Sequence, residues 1–205
     1  MSITEIMEWN LQKNHGECLT LKIGMHCAPL LMKSKISNIM TIDKSEFAGI
    51  RKILNETDIS YRLLKSRGTK LILFLYREKD FISYLSLPDV HEFLVSLGYE
   101  PQINPMHLLN QLAKKIFFYG NGEIAFPHEI GIFLGYPLCD VKGFIDNLGQ
   151  NCLYSGYWKV YKNVAETKAL FNRFEEDKEL VVHKIISGYT LPELLEEIHE
   201  MEKVS

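Results

Sequence analysis

Two runs, Ile59 to Lys65 and Lys70 to Tyr76, flank the four residues SRGT. Both have the apolar, β-branched and aromatic content of strands. Gly68 supplies the permissive backbone that a tight turn needs. The pair reads as an antiparallel hairpin, and it commits the chain to some antiparallel sheet. Arg62 falls on the face opposite Tyr61 and Leu63. A third strand is read at Leu19 to Cys27, where Leu19, Leu21, Ile23, Met25 and Cys27 alternate with Thr20, Lys22, Gly24 and His26. Pro29 donates no backbone hydrogen bond and should end that ladder. A fourth, rich in aromatics, is read at Ser155 to Tyr161, with Tyr157, Lys159 and Tyr161 facing one way and Trp158 and Val160 the other.

The rest of the pattern is helical. Ser2 to Lys13 has the Ser2–Glu5 spacing of a capping box, and Asn14, His15 and Gly16 break it. Further helices are expected over Ser45 to Asn55, Asp80 to Leu85, Pro88 to Leu97, Asn104 to Phe117, Pro127 to Leu134 and Leu138 to Asn147. A long one starts at the Asn163–Glu166 box and runs towards Ile186, and a short acidic one follows Thr190. YGNGE is a turn by composition, with the option of a small hairpin. The expected fold is α+β: a small, partly antiparallel sheet covered by helices, with a helix-rich C-terminal half. One domain over 1–205 is the first reading; a division into 1–98 and 104–205 at GYEPQINP is the second.

Bulk properties narrow the function classes. With 46% hydrophobic and 24% charged residues, 205 residues suffice for a sizeable core. A net charge of -3 argues against a general nucleic-acid binder, which carries a basic excess. The four cysteines form no C-x-x-C pair, and the chain is not cysteine-dense, so reduced thiols are expected. No apolar run approaches the ~20 residues that span a bilayer, and the N-terminus lacks a signal-peptide core. These features read as a cytoplasmic protein with no membrane association.

Several residues could carry chemistry. His26 and Cys27 are adjacent. A cationic neighbour activates a thiol, but adjacent side chains on a regular strand diverge, so the alternative is a buried structural Cys27 with His26 acting alone. Lys33, Lys35, Arg62, Lys65, Arg67, Lys70 and Arg77 gather around the hairpin. Of these Arg62, in mid-strand, is singled out, because a guanidinium fork suits carboxylate or phosphate. His128 and Glu129 follow Pro127 at a helix start, where amides attract anions; the bland alternative is helix initiation. Ile132 breaks any H-E-x-x-H zinc motif. LGYPLCDVKGFI has helix-turn-helix spacing, yet its second helix offers Asp140, Lys142, Asp146 and Asn147, a poor set for DNA. GYWKVY offers flat rings and one lysine, suited to stacking on a planar ligand such as a nucleotide, flavin or porphyrin, or else to a plain core strand. No His or Cys spacing makes a metal site, and no cofactor can be named.

Three stretches together, HCAPLL at 26–31, FPHEIGIFLGYPLCDVKGFI at 126–145 and GYWKVY at 156–161, resemble an uncharacterised domain-of-unknown-function family of anaerobic clostridia-like bacteria. The resemblance spans nearly the whole chain in order. It implies a cytoplasmic bacterial protein of shared architecture and carries over no activity and no catalytic residue.

The leading expectation is a pocket for a small anionic or planar ligand at the end of the 19–27 strand. His26 and Arg62 would be its polar contacts, joined by Cys27 and His128. Whether turnover follows binding is left open. An adaptor that meets a protein partner through its acidic terminal helix and aromatic strand is the second reading, and a DNA regulator the third.

Overall fold

The computed structural model describes residues 14–204. The expected helix over residues 2–13 lies outside them. The first described element corrects the sequence reading. Residues 19–27 are not a strand but part of helix α1, His15–Leu31. Asn14 caps the start of this helix, and His15 and Gly16 lie within it. The Asn14 side chain accepts from the Glu17 amide at 3.0 Å, and Glu17 accepts from the Asn14 amide at 3.1 Å, a reciprocal cap. Leu19, Leu21, Ile23, Gly24, Cys27, Ala28, Leu30 and Leu31 are all buried. A helix sunk on most sides has apolar residues nearly all round, and stepping along it can mimic the period of a strand. Pro29 sits inside the last turn, where it donates no bond to the Met25 carbonyl.

The sheet has the order β1-β3-β2, all antiparallel. β1 is Ser37–Asp43, β2 Ile59–Arg67 and β3 Lys70–Arg77. The hairpin forms where the sequence places it, with Gly68 at φ +56°. A bulge between Leu63 and Lys65 shifts the register, leaving Leu63 exposed and Leu64 buried. β1 takes the third place that the sequence reading gave to 19–27. Between β1 and β2, a 3-10 turn over Lys44–Glu46 leads into α2, Phe47–Leu54.

β3 is buried on both faces. Leu71, Leu73 and Leu75 point to an aliphatic layer made by α1, α2 and the C-terminal helices α8, Val164–Ile186, and α9, Leu191–Val204. Phe74 and Tyr76 point to the opposite layer. There lie α3 (Glu78–Leu85), α4 (Pro88–Ser96), α5 (Pro105–Gly120), the one-turn α6 (Ile130–Phe133) and α7 (Leu138–Asp146). Asn104 caps α5 through the His107 amide, as its position before Pro105 suggests.

Arg77 ties the end of β3 to the C-terminus of α1. Its guanidinium donates to the carbonyls of Leu30 (3.1 Å) and Leu31 (2.9 Å) and pairs with Asp58. The carbonyls at a helix C-terminus lack intrahelical partners and carry partial negative charge, so a buried cation belongs there. Among the described residues no helix is long and apolar enough to cross a membrane.

The C-terminal half departs from expectation in three places. Ser155 to Tyr161 is not one strand but a minimal ladder, β4 (Tyr154–Ser155) paired with β5 (Lys159–Val160). The helix expected from Pro127 shrinks to the four residues of α6, so His128 and Glu129 precede it in a turn. Asn163 stands before α8 with φ +51° and makes no side-chain cap.

Candidate ligand-binding site

The residues singled out from sequence do not converge. Arg62 is in register with Phe74, so its side chain lies on the α5 side of the sheet, where it donates to Asn110. His26 is on α1, across the sheet. It borders a recess with His15, Cys18, Lys22, Met25 and Glu46, spanned by the 2.6 Å Lys22–Glu46 ion pair. Desolvation, then the charges of Lys22 and Lys178, lower the His26 pKa and favour neutral imidazole. The expected pocket shared by His26 and Arg62 therefore does not form. Its premise was a strand at 19–27, and the helix found there sends His26 to the far side.

Cys27 is wholly buried in the aliphatic layer. Burial pushes its thiol up to about 11, with the Asn38 amide at 3.7 Å and the Lys35 charge only partly offsetting that. Such a thiol is a packing group with little nucleophile to offer. Among the described residues no group of three or more His, Cys, Asp or Glu converges as a metal site would require.

His128 is different. It stands at the mouth of a cavity of about 320 Å³ built from the turn after Phe126, from α6 and α7, and from the β4–β5 hairpin. Six of its lining residues carry rings. His128 lies 4.9 Å from Phe144 and 5.2 Å from Phe126, centroid to centroid. Tyr136 stacks on Trp158 at 4.5 Å and 23°, and Phe171 meets Trp158 edge-on. Tyr157, Lys159, Ile130 and Val141 also line it.

Asp140 holds this arrangement in place. It is 2% exposed. One carboxylate oxygen accepts from the Trp158 indole at 2.8 Å; the other accepts from the amides of Tyr161 (2.7 Å) and Lys162 (3.1 Å). Three donors satisfy a buried charge and lock the hairpin onto α7. The helix-turn-helix spacing read in LGYPLCDVKGFI is not realised as two full helices: α6 is a single turn, and Asp140 of α7 is engaged internally.

Two glycines allow the close approach. A Cβ at Gly143 would lie 2.5 Å from the Tyr161 ring, and one at Gly156 would lie 2.3 Å from Phe171. Behind the cavity, buried Glu129 pairs with Lys115 at 2.8 Å and accepts from the Tyr99 hydroxyl at 3.1 Å. Lys115 also donates to the Leu97 carbonyl and sits 4.1 Å above the Tyr99 ring. This cluster anchors the turn that presents His128.

The cavity's lining comes almost entirely from two continuous stretches, 126–144 and 155–159. A family model covers residues 23–195, most of the chain, and its description reads protein of unknown function, DUF3793. The chain belongs to the DUF3793 family. No curated protein and no solved structure matches it. Membership thus supplies no chemistry, and the cavity's own residues must supply it.

Sequence reasoning had marked both stretches and had weighed stacking on GYWKVY, but missed Asp140, Tyr136, Phe126 and Phe144 as site-forming residues. The signal was the aromatic density of the two stretches taken together. Nothing local shows that residues some twenty positions apart face one hollow.

Proposed function

We propose that this protein binds a small ligand with a flat ring system in the cavity between α7 and the β4–β5 hairpin. The observation that carries this reading is the lining: Phe126, His128, Tyr136, Phe144, Tyr157 and Trp158 around one hollow. Rings gain from offset stacking and edge-on contact beyond the area they bury, by about 0.5–1.5 kcal/mol per pair. Most ligand sites enclose roughly 300–1,000 Å³, so a hollow of about 320 Å³ suits two or three fused rings better than a macrocycle. Binding is the function proposed. Among the lining residues Tyr157 is kept protonated by burial and by its 2.8 Å hydrogen bond to Glu175, and Asp140 is spent on structure, so neither is poised as a base.

The test is calorimetric titration of the full chain with adenosine, riboflavin, 2-naphthamide and protoporphyrin IX, repeated on Phe144→Ala. At least one ring of two or three fused members should bind, and Phe144→Ala should weaken it about tenfold, the loss of one stacking partner. Failure of all the small rings to bind, or equal affinity in the variant, would overturn the reading.

A further inference from the structure

Resting on that reading, we infer that the ligand carries an anionic group beside its ring, and that Lys159 selects for it. Among the described residues two ionisable side chains of fixed charge line the cavity, Asp140 and Lys159. Asp140 is fully used. Both its oxygens accept hydrogen bonds, from the Trp158 indole and from the Tyr161 and Lys162 amides, and none of these donors is Lys159. An acid whose lone pairs are directed into its own fold cannot serve as the lysine's close partner.

Lys159 is in the opposite position. Its ammonium donates to the Gly149 carbonyl at 2.6 Å, a neutral acceptor. An ammonium has three N–H donors, and that one bond fixes the head while leaving others to give. The head is 5.9 Å from the centroid of Phe144, a wall of the same cavity. A ring stacked on Phe144 therefore places its substituents within reach of a half-buried cation. In a hollow whose other lining side chains are mostly rings and aliphatics, an ammonium with no carboxylate partner favours an anion over a neutral group of the same shape. His128, exposed at the mouth beside Phe144, adds two ring nitrogens to the same end of the site. The ligand class is a fused-ring carboxylate or monophosphate ester.

Matched pairs that differ only in the charged group test this: riboflavin and flavin mononucleotide, adenosine and adenosine monophosphate, 2-naphthamide and 2-naphthoate, each titrated calorimetrically into the full chain. The anionic member of the best-binding pair should bind at least tenfold more tightly at low salt, and the ratio should shrink as salt rises. Lys159→Met should bring the ratio to within about twofold of unity; Lys159→Arg should keep the preference. Equal binding of both members to the wild type would overturn the anion inference and leave the flat-ring reading standing. A ratio that survives in Lys159→Met would assign the anion to another group and overturn the role of Lys159. No binding by any member would overturn both. Should Lys159→Met fail to fold, the wild-type ratio and its salt dependence still decide the anion preference.

Discussion

The layers on either side of the sheet are built from different materials. The buried members of the α1, α2, α8 and α9 layer are aliphatic, with Cys27 and Ala28 among them; its aromatics, Phe47 and Tyr61, lie only part-buried at its edge. Across the sheet the core includes Phe74, Tyr76, Phe81, Tyr99 and Phe133, and it continues into a cluster of Trp158, Phe171 and Phe174. Branched aliphatic side chains interdigitate and close on themselves. Large flat rings on short helices need to be oriented, and here buried carboxylates do it: Asp140 for Trp158, Glu129 for the turn at His128. The aliphatic layer is scaffold. The aromatic one holds the candidate site, and changes made to each should separate stability from binding.

The largest effect is expected behind the cavity. Lys115→Met leaves Glu129 buried without its ion partner, which should destabilise the fold by about 3–5 kcal/mol, measured by urea denaturation. A smaller loss would mean that Tyr99 alone can satisfy Glu129. Next, Leu30→Ala in the aliphatic layer should cost about 2–4 kcal/mol, yet leave the affinity of a cavity ligand within twofold. A matching loss of affinity would erase the distinction between the layers.

Lys35 tests the seam between them. Burial lowers its pKa to about 8 from 10.5, with the Cys27 charge opposing weakly. Between those values the unfolded chain binds the proton and the folded protein does not, so stability should rise with pH across that window. Below about pH 8 the penalty is carried in full. Lys35→Met should therefore stabilise the protein at pH 7, by on the order of 1–2 kcal/mol, and should flatten the rise. Cys27 acts the other way above its ordinary range, since the folded protein keeps the proton up to about 11. The double variant with Cys27→Ala isolates the lysine. The smallest perturbation is chemical: in native protein at pH 8, iodoacetamide should modify the part-exposed Cys18 and Cys152 well before buried Cys27, followed by peptide mass spectrometry. Early labelling of Cys27 would show the aliphatic layer opening locally.

The sequence was readable where structure is local. The hairpin followed from two apolar runs and Gly68, and the α5 start from Asn104 and Pro105. Helix α1 was misread because burial on nearly every side removes the polar stripe that reveals helical period; only the Asn14–Glu17 cap distinguished it. β1 was overlooked because SNIMTID mixes polar residues into a strand that is buried mainly at Met40 and Ile42 on one face. The cavity was half legible. Its two stretches stood out as aromatic and distinctive, but the meeting of His128 with Phe144, and of Asp140 with Trp158, is a tertiary fact. The error over His26 and Arg62 followed from α1: a strand would have let them share a face, and a helix does not.

The most direct measurement is an amide-and-indole NMR titration of ¹⁵N-labelled protein with 2-naphthoate. The chain has two tryptophans, and Trp9→Phe assigns the Trp158 indole signal. That signal should move saturably, with the affinity found by calorimetry, and in Phe144→Ala the same movement should need about tenfold more ligand. Saturable binding that leaves the Trp158 indole unmoved while shifting residues around His26 would place the ligand on the wrong side of the sheet and contradict the assignment of the site.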